Sequence, residues 1–115
     1  MKCAEELKGL GVNVEEGLDR VMGDEEMYEM MLGMFIDMIN EANIQLEDFD
    51  SGNVDDLIRS VHMLKGTTGN LSLTPLFEGY TETLGLLREG KPKEAKNVYT
   101  KMLSVQSDIL ACIKQ

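Results

Sequence analysis

The sequence predicts an all-α protein, an antiparallel four-helix bundle with a short additional N-terminal helix. Three observations support this fold class. The chain of 115 residues contains two prolines, and long stretches of it lack turn signals. Apolar residues recur in these stretches at the spacing of one helix face, and no segment has the pattern of a strand. We therefore expect one domain over residues 1–115, with its core at about 11–113.

Capping residues divide the first half of the chain into two helices. Asn13 and Glu16 have the spacing of a capping box, which predicts a short helix to about Met22. Asp24 is the expected N-cap of a long helix, because acidic residues follow in its first turn. This helix is predicted to continue to about Phe49. Its apolar stripe comprises Met27, Met30, Met31, Met34, Phe35, Met38, Ile39, Ala42, Leu46 and Phe49.

Three further helices complete the prediction. Asn53 can cap the first of them, after a turn at residues 50–53. Thr74-Pro75 and Lys91-Pro92 begin the other two, because proline is favoured at the first helical position. The predicted inward positions are Val54, Leu57, Val61, Leu64, Thr68 and Leu71; then Leu76, Phe77, Tyr80, Leu84 and Leu87; then Ala95, Val98, Tyr99, Met102, Leu103, Val105, Ile109, Leu110 and Ile113.

Methionine is unusually frequent, with nine residues in the chain. Most of them lie on the stripe of the long helix, where a flexible thioether side chain can fill irregular gaps in a core. We predict core filling for most of these residues and an adaptable docking surface for a minority.

Charge and cysteine content narrow the classes of partner and compartment. The net charge of −10 repels a phosphate backbone, so nucleic acid is not an expected partner. Cys3 and Cys112 are too few for a disulfide framework, and we expect reduced thiols in a cytoplasmic protein. Residues 1–10 lack the apolar segment of a signal peptide. Acidic residues interrupt the most apolar stretch, so no membrane span is expected.

His62 is the single histidine, which excludes a metal site built from several histidines. A histidine packed in the core would be the ordinary interpretation. At about 100° per residue, however, His62 points roughly 120° away from the centre of its helix's apolar stripe. We therefore predict that its imidazole faces solvent. Arg59, Lys65, Gly66 and Gly69 share its face.

The two glycines on this face need a reason, because each costs about 1 kcal/mol relative to alanine in a helix interior. One reason is access: without side chains at Gly66 and Gly69, another protein can approach His62 closely. The alternative is that they permit close helix packing or mark fraying near Asn70. Lys65, at i+3 from His62, can neutralise a phosphoryl group held on the ring.

Imidazole is a suitable phosphoryl acceptor because its neutral ring is a nucleophile near pH 7. The chain has no nucleotide-binding loop of the Walker type, and its acidic residues show no dedicated magnesium pattern. We therefore expect a phosphocarrier rather than an enzyme with its own ATP site, and no cofactor of its own. ATP and metal would come from the partner.

The segment Ser60–Leu71, SVHMLKGTTGNL, resembles the signature of histidine-containing phosphotransfer (HPt) domains, in which His-x-Leu-Lys-Gly is followed by small residues and Asn-Leu. The upstream run from Val14 to Tyr28 is also similar to the start of such domains. The resemblance covers about residues 11–113. It departs from the family pattern at Ser72-Leu73, where the family often has Gly-Ala, and this affects the expected turn rather than the phosphorylation site.

The resemblance implies a phosphorelay intermediate of two-component systems. His62 would accept a phosphoryl group from a receiver-domain aspartate and donate it to another, with Mg²⁺ bound on the receiver. Lys65 would stabilise the phosphoryl charge, and Arg59, Met63, Gly66 and Gly69 would lie where the partner docks. Expected partners are response-regulator receiver domains or a hybrid sensor histidine kinase. The chain is expected to be a monomer, because its bundle can bury its own stripes.

Two other interpretations remain open from the sequence. The domain can be the phosphoacceptor of a chemotaxis-type histidine kinase, in which a separate ATP-binding domain labels His62. It can also be a non-catalytic helical adaptor or dimerisation bundle, which would leave His62 buried or partnered.

Overall fold

The computed structural model describes residues 3–114, so Met1, Lys2 and Gln115 of the predicted 1–115 domain lie outside the described part. Every regular element in residues 3–114 is helical, which confirms the all-α prediction. The elements are α1 (Ala4–Gly9), α2 (Val14–Asp19), α3 (Glu25–Ala42), a 3₁₀ helix (Leu46–Asp50), α4 (Asp55–Asn70), α5 (Thr74–Arg88) and α6 (Pro92–Ile113).

The four longer helices enclose one hydrophobic core. α4 packs against α5 and α5 against α6, while α3 contacts both α4 and α6. The 3₁₀ helix lies on α6, and α1 contacts both α2 and α6. The largest fully buried side chains are Tyr28, Tyr80, Phe35 and Phe49, so aromatic residues contributed by α3, the 3₁₀ helix and α5 fill the centre.

The predicted inward face of α4 is confirmed. Leu57, Val61, Leu64 and Thr68 are buried, and they recur every three or four residues as a helix face requires. The N-cap is Val54 rather than the predicted Asn53, which lies one residue earlier and accepts a hydrogen bond of 3.1 Å on its side-chain oxygen from the backbone N–H of Asp55. α4 therefore presents one apolar face to the core and leaves the opposite face to solvent.

α3 is shorter than predicted. It ends at Ala42, because Asn43 adopts a left-handed conformation with φ of 45° and caps the helix by donating its N–H to the Ile39 carbonyl. The chain then continues through an extended link into the 3₁₀ helix, which carries the buried Phe49. The predicted helix from Asp24 to Phe49 is thus two elements with different directions.

The buried face of α3 also differs from the predicted stripe. Tyr28, Leu32 and Phe35 are its buried residues. Met27, Met30 and Met34 are 41%, 55% and 55% exposed. Core filling is therefore the wrong interpretation for these three methionines. Of the methionines on α4 and α6, Met63 is exposed and Met102 is buried.

The remaining differences are small. α1 was not expected, and its one buried residue is Leu7. α2 ends at Asp19 rather than about Met22, which has a positive φ of 57°. α6 starts at Pro92 as predicted, whereas α5 starts one residue before its proline, at Thr74, with Leu73 as the N-cap. Phe77, predicted to point inward, is 36% exposed.

Within residues 3–114, none of the helices has both the length and the apolar character needed to cross a lipid bilayer. In the same range, no three side chains among the histidine, cysteine, aspartate and glutamate residues group closely enough to bind a metal ion.

Candidate functional site

His62 lies in the middle of α4 and is exposed to solvent, as the helical geometry predicted. Its neighbour Val61 is fully buried in the core. The imidazole makes no hydrogen bond or ion pair with another residue of the described chain. Buried neighbours therefore fix the helix backbone at His62, while the ring itself stays accessible to a partner.

The two glycines on the His62 face have different surroundings. A Cβ built at Gly66, one turn from His62, has no atom of another described part of the chain within 4 Å, so the surface there is open. A Cβ built at Gly69 lies 3.0 Å from the ring of Phe77 on α5. The predicted gap is therefore present at Gly66 only. At Gly69 the alternative, close helix packing, is correct, because the Phe77 ring fills the space.

The two cations near His62 also differ. Lys65 is half-buried and forms no ion pair with a described residue, so its ammonium group is available to an anion held on the imidazole. Arg59 is exposed and forms an i,i+3 ion pair with Asp56. The positive charge of Arg59 is therefore already neutralised in part, whereas that of Lys65 is not.

An exposed methionine surface lies beside the His62 face. We call Met27, Met30 and Met34 of α3 together with Met63 of α4 the Met surface; each of these side chains is at least 41% exposed. α3 and α4 meet where the Thr67 hydroxyl contacts the Met38 sulfur at 3.6 Å. Met34 and Thr67 line the same shallow depression. Through Met34 and Thr67 the Met surface therefore adjoins α4 at the residue after Gly66.

The C-terminal end of α4 is held by side chains from distant parts of the chain. The Arg20 guanidinium donates to the carbonyls of Gly69 and Asn70 and, at 2.7 Å, to the Ser72 hydroxyl. The Tyr28 hydroxyl donates to the Leu71 carbonyl at 2.7 Å. A cation at a helix C-terminus satisfies carbonyls that lack intrahelical partners and interacts favourably with the helix dipole.

Ser72 lies in the turn between α4 and α5. Its φ is +56°, a conformation that glycine adopts without strain. The Ser72 hydroxyl donates to the Glu16 carboxylate at 2.8 Å and accepts from Arg20. These bonds tie the turn to α2 and offset the backbone strain, so serine is accommodated in a conformation that glycine favours.

The two thiols do not compete with His62 as nucleophiles near neutral pH. Burial, and then the hydrogen bond to the Glu6 carboxylate, raise the pKa of Cys112 to about 11. Burial, followed by the charges of Glu29 and Glu6, also raises the pKa of Cys3. Since the thiolate is the reactive form of cysteine, both groups remain largely protonated and unreactive at neutral pH.

The site thus combines an exposed imidazole, an unpaired ammonium one turn away and an open surface at Gly66. Sequence reasoning identified these three residues from helical spacing. It did not identify Phe77 and the Met surface as the borders of the site. It also did not identify Arg20 as the residue that binds the end of α4, because these contacts depend on how the helices pack. Comparison of the chain with protein-family models, with curated proteins and with solved structures gave no match.

Proposed function

We propose that this chain is a histidine phosphotransfer domain that accepts a phosphoryl group on His62 from a receiver-domain aspartate and passes it to another. In this proposal α3, α4, α5 and α6 form the antiparallel four-helix bundle of such domains. The observation that carries the proposal is the environment of His62: an exposed, unpartnered imidazole in mid-helix beside an open glycine.

The proposed transfer is a nucleophilic displacement at phosphorus. A ring nitrogen of His62 forms the new N–P bond while the O–P bond of the aspartyl phosphate breaks and the carboxylate leaves. Donation to the second receiver reverses these steps. No redox partner is needed, and Mg²⁺ on the receiver neutralises charge on the phosphoryl oxygens.

The proposed role of Lys65 follows from its missing counter-ion. Its ammonium group is at i+3 from His62, on the same side of α4, and forms no ion pair with a described residue. Phosphoryl transfer depends largely on positioning and charge stabilisation. In the proposal Lys65 compensates the charge of the phosphoimidazole, whereas Arg59, already paired with Asp56, contributes to docking.

The proposed docking surface combines the open face at Gly66 with the Met surface. Flexible, polarisable methionine side chains adapt to different partner surfaces. A relay intermediate has to bind at least two receivers with the same face, and an adaptable apolar surface is suited to that task. Phe77 borders the same region on the α5 side.

The adaptor interpretation predicts a buried or partnered His62, which the exposed imidazole does not match. The chemotaxis-type interpretation shares the acceptor histidine and differs only in the phosphoryl donor. Labelling from a kinase core with ATP, but not from a phosphorylated receiver, would favour it over the relay.

The test is phosphotransfer from a panel of receiver domains phosphorylated in the presence of Mg²⁺. We expect acid-labile, base-stable label on this chain, loss of the label in His62→Gln, and retention of the label in Arg88→Gln, a control at an exposed position of α5. Label that persists in His62→Gln would refute the proposal. So would the absence of labelling by any receiver or kinase core.

A further inference from the structure

A second concave site lies between the helices, on a different side of α4 from His62. It encloses about 280 Å³ and is lined by residues of α3, α4, α5 and α6, among them Leu64, Tyr80 and Gln106. Leu64 is two residues from His62, a rotation of about 200° around the helix axis. This pocket is therefore separate from the proposed phosphotransfer site.

The pocket exists because α3 stops early. Ile39 and Asn40 belong to its last turn, and Asn43, with its left-handed backbone, redirects the chain. The exposed residues of the lining are Asn40 and Asn43, so the pocket opens to solvent at this end of α3. A helix continuing to Phe49, as the sequence pattern predicted, would not leave this opening.

Two polar groups in the lining have no protein partner. The Tyr80 hydroxyl donates to the Gln106 side-chain carbonyl, which leaves the Gln106 amide NH₂ without a hydrogen bond to any described residue. The Tyr99 hydroxyl likewise lacks a partner there. Both residues are 4% exposed. Because no fully enclosed polar side-chain atom of the described chain is unsatisfied, these two groups keep some contact with solvent, and both residues line the pocket.

The lining determines the chemistry of a ligand. The half-buried side chains of Ile39, Ile44 and Leu103 give the opening apolar walls that favour a flat apolar body, while Tyr80 and Leu64 are fully buried beneath it. No residue of the lining carries a charge, so a buried ion would lose hydration without compensation. The Gln106 NH₂ requires an acceptor, and the Tyr99 hydroxyl can donate as well. The volume is well above the ~150 Å³ of an apolar cavity that binds benzene.

We propose that this pocket binds a small, neutral aromatic molecule that carries a carbonyl or hydroxyl oxygen. The ring lies against the half-buried side chains of Ile39, Ile44 and Leu103, and the oxygen accepts hydrogen bonds from Gln106 and Tyr99. This site is independent of the proposed phosphotransfer, since it uses neither His62 nor the surface around it.

The test is titration of the ¹⁵N-labelled chain with benzamide, followed by two-dimensional NMR. We expect saturable shifts confined to amides around the pocket, with a dissociation constant of about millimolar or tighter. Benzoate, which is charged, is expected to give none of these shifts. The measurement involves no phosphoryl transfer, so either proposal can fail while the other stands.

Variants of Gln106 and Tyr99 test whether their polar groups recognise the ligand. Tyr99→Phe is expected to weaken benzamide about fivefold, and Gln106→Leu about tenfold. Ser104→Leu, at an exposed position of the same helix, is the control and should leave binding unchanged. Tyr99→Phe removes no hydrogen bond within the described chain. Its effect on benzamide binding can therefore be interpreted even if Gln106→Leu lowers the stability of the fold.

Several outcomes would overturn the proposal. Benzamide that produces no saturable shift up to its solubility limit, or shifts located elsewhere, would show that the pocket holds water only. Binding that is equally strong in Tyr99→Phe and Gln106→Leu would show that the two polar groups do not recognise the ligand.

Discussion

The middle and the C-terminal end of α4 are covered differently by the rest of the chain. Around His62 and Gly66 no other element of residues 3–114 lies over the exposed face. Two turns further on, Phe77 packs on Gly69, and Arg20 and Tyr28 bind the last carbonyls. One helix thus has an open segment and a closed segment, and glycine occurs in both, in different surroundings. Glycine spacing alone does not distinguish access from packing.

The largest expected effect concerns the open segment. Gly66→Leu places a bulky side chain one turn from His62, in space that a docking partner would need. We expect transfer from a phosphorylated receiver to be slower by about a hundredfold, because a displacement of about 1 Å is enough to disturb the reacting geometry. The rate is measured by single-turnover labelling.

Gly85→Leu is the matched control for that experiment. Gly85 is also an exposed mid-helix glycine with no atom within 4 Å of a built Cβ, but it lies on α5. We expect unchanged transfer in this variant. Equally slow phosphoryl transfer in Gly66→Leu and Gly85→Leu would contradict the idea that the partner docks at the open segment. Unfolding of Gly66→Leu would contradict the interpretation that Gly66 lies in open space.

The closed segment is expected to depend most on Arg20. Arg20→Met removes the donors to two helix carbonyls and to the Ser72 hydroxyl. Because the Arg20 side chain is 46% exposed, water replaces part of this bonding, and we expect a loss of about 1–2 kcal/mol in the free energy of unfolding. Urea denaturation followed by circular dichroism measures it. Arg88→Met, at an exposed position of α5, should change stability little.

A pair of alanine substitutions compares the two glycines directly. Gly66→Ala fills open space, so the higher helix propensity of alanine should stabilise the fold by about 1 kcal/mol. Gly69→Ala gains the same propensity but pushes its Cβ against the Phe77 ring, so its gain should be smaller or absent. Thermal unfolding of both variants measures the difference. A larger gain for Gly69→Ala would show that Phe77 yields freely.

The smallest expected effect is at Tyr28. Tyr28→Phe removes the bond to the Leu71 carbonyl and should cost about 1 kcal/mol near neutral pH. Burial raises the pKa of Tyr28 from its ordinary value of 10.0 to about 12. The neutral phenol therefore stabilises the fold fully below pH 10, and this contribution is lost as the pH rises towards 12.

The pH dependence separates Tyr28 from the other buried phenols. Burial also raises the pKa of Tyr99 to about 12. Stability should fall in the same alkaline range in wild type, and Tyr28→Phe should show a shallower fall. Identical slopes in the two proteins, measured by urea denaturation at increasing pH, would contradict the assignment to Tyr28.

The success of sequence reasoning differs between α4 and α3 for a physical reason. On α4 the apolar residues occupy one face, so Leu57, Val61 and Leu64 were placed correctly and the exposure of His62 followed. On α3 apolar residues occupy nearly every face, so periodicity cannot select the buried one. Packing selects Tyr28 and Leu32 instead.

Other features depend on contacts between residues far apart in the sequence. The end of α3 at Asn43 was difficult to predict from the sequence, because asparagine occurs both within helices and in left-handed caps. The contact between Gly69 and Phe77 requires the packing of α4 on α5. Arg20 is about fifty residues from the carbonyls that it binds. None of these could be obtained from local spacing.

The exposed methionines of α3 affect how the sequence of this protein can change during evolution. Met27, Met30 and Met34 lie outside the core, which Tyr28, Leu32 and Phe35 form from the same helix. Substitutions at exposed positions usually change stability by little. The residues that would select partners are therefore largely separate from those that hold the fold together. Such a surface is free to acquire new specificities through a few substitutions while the same folded scaffold is retained.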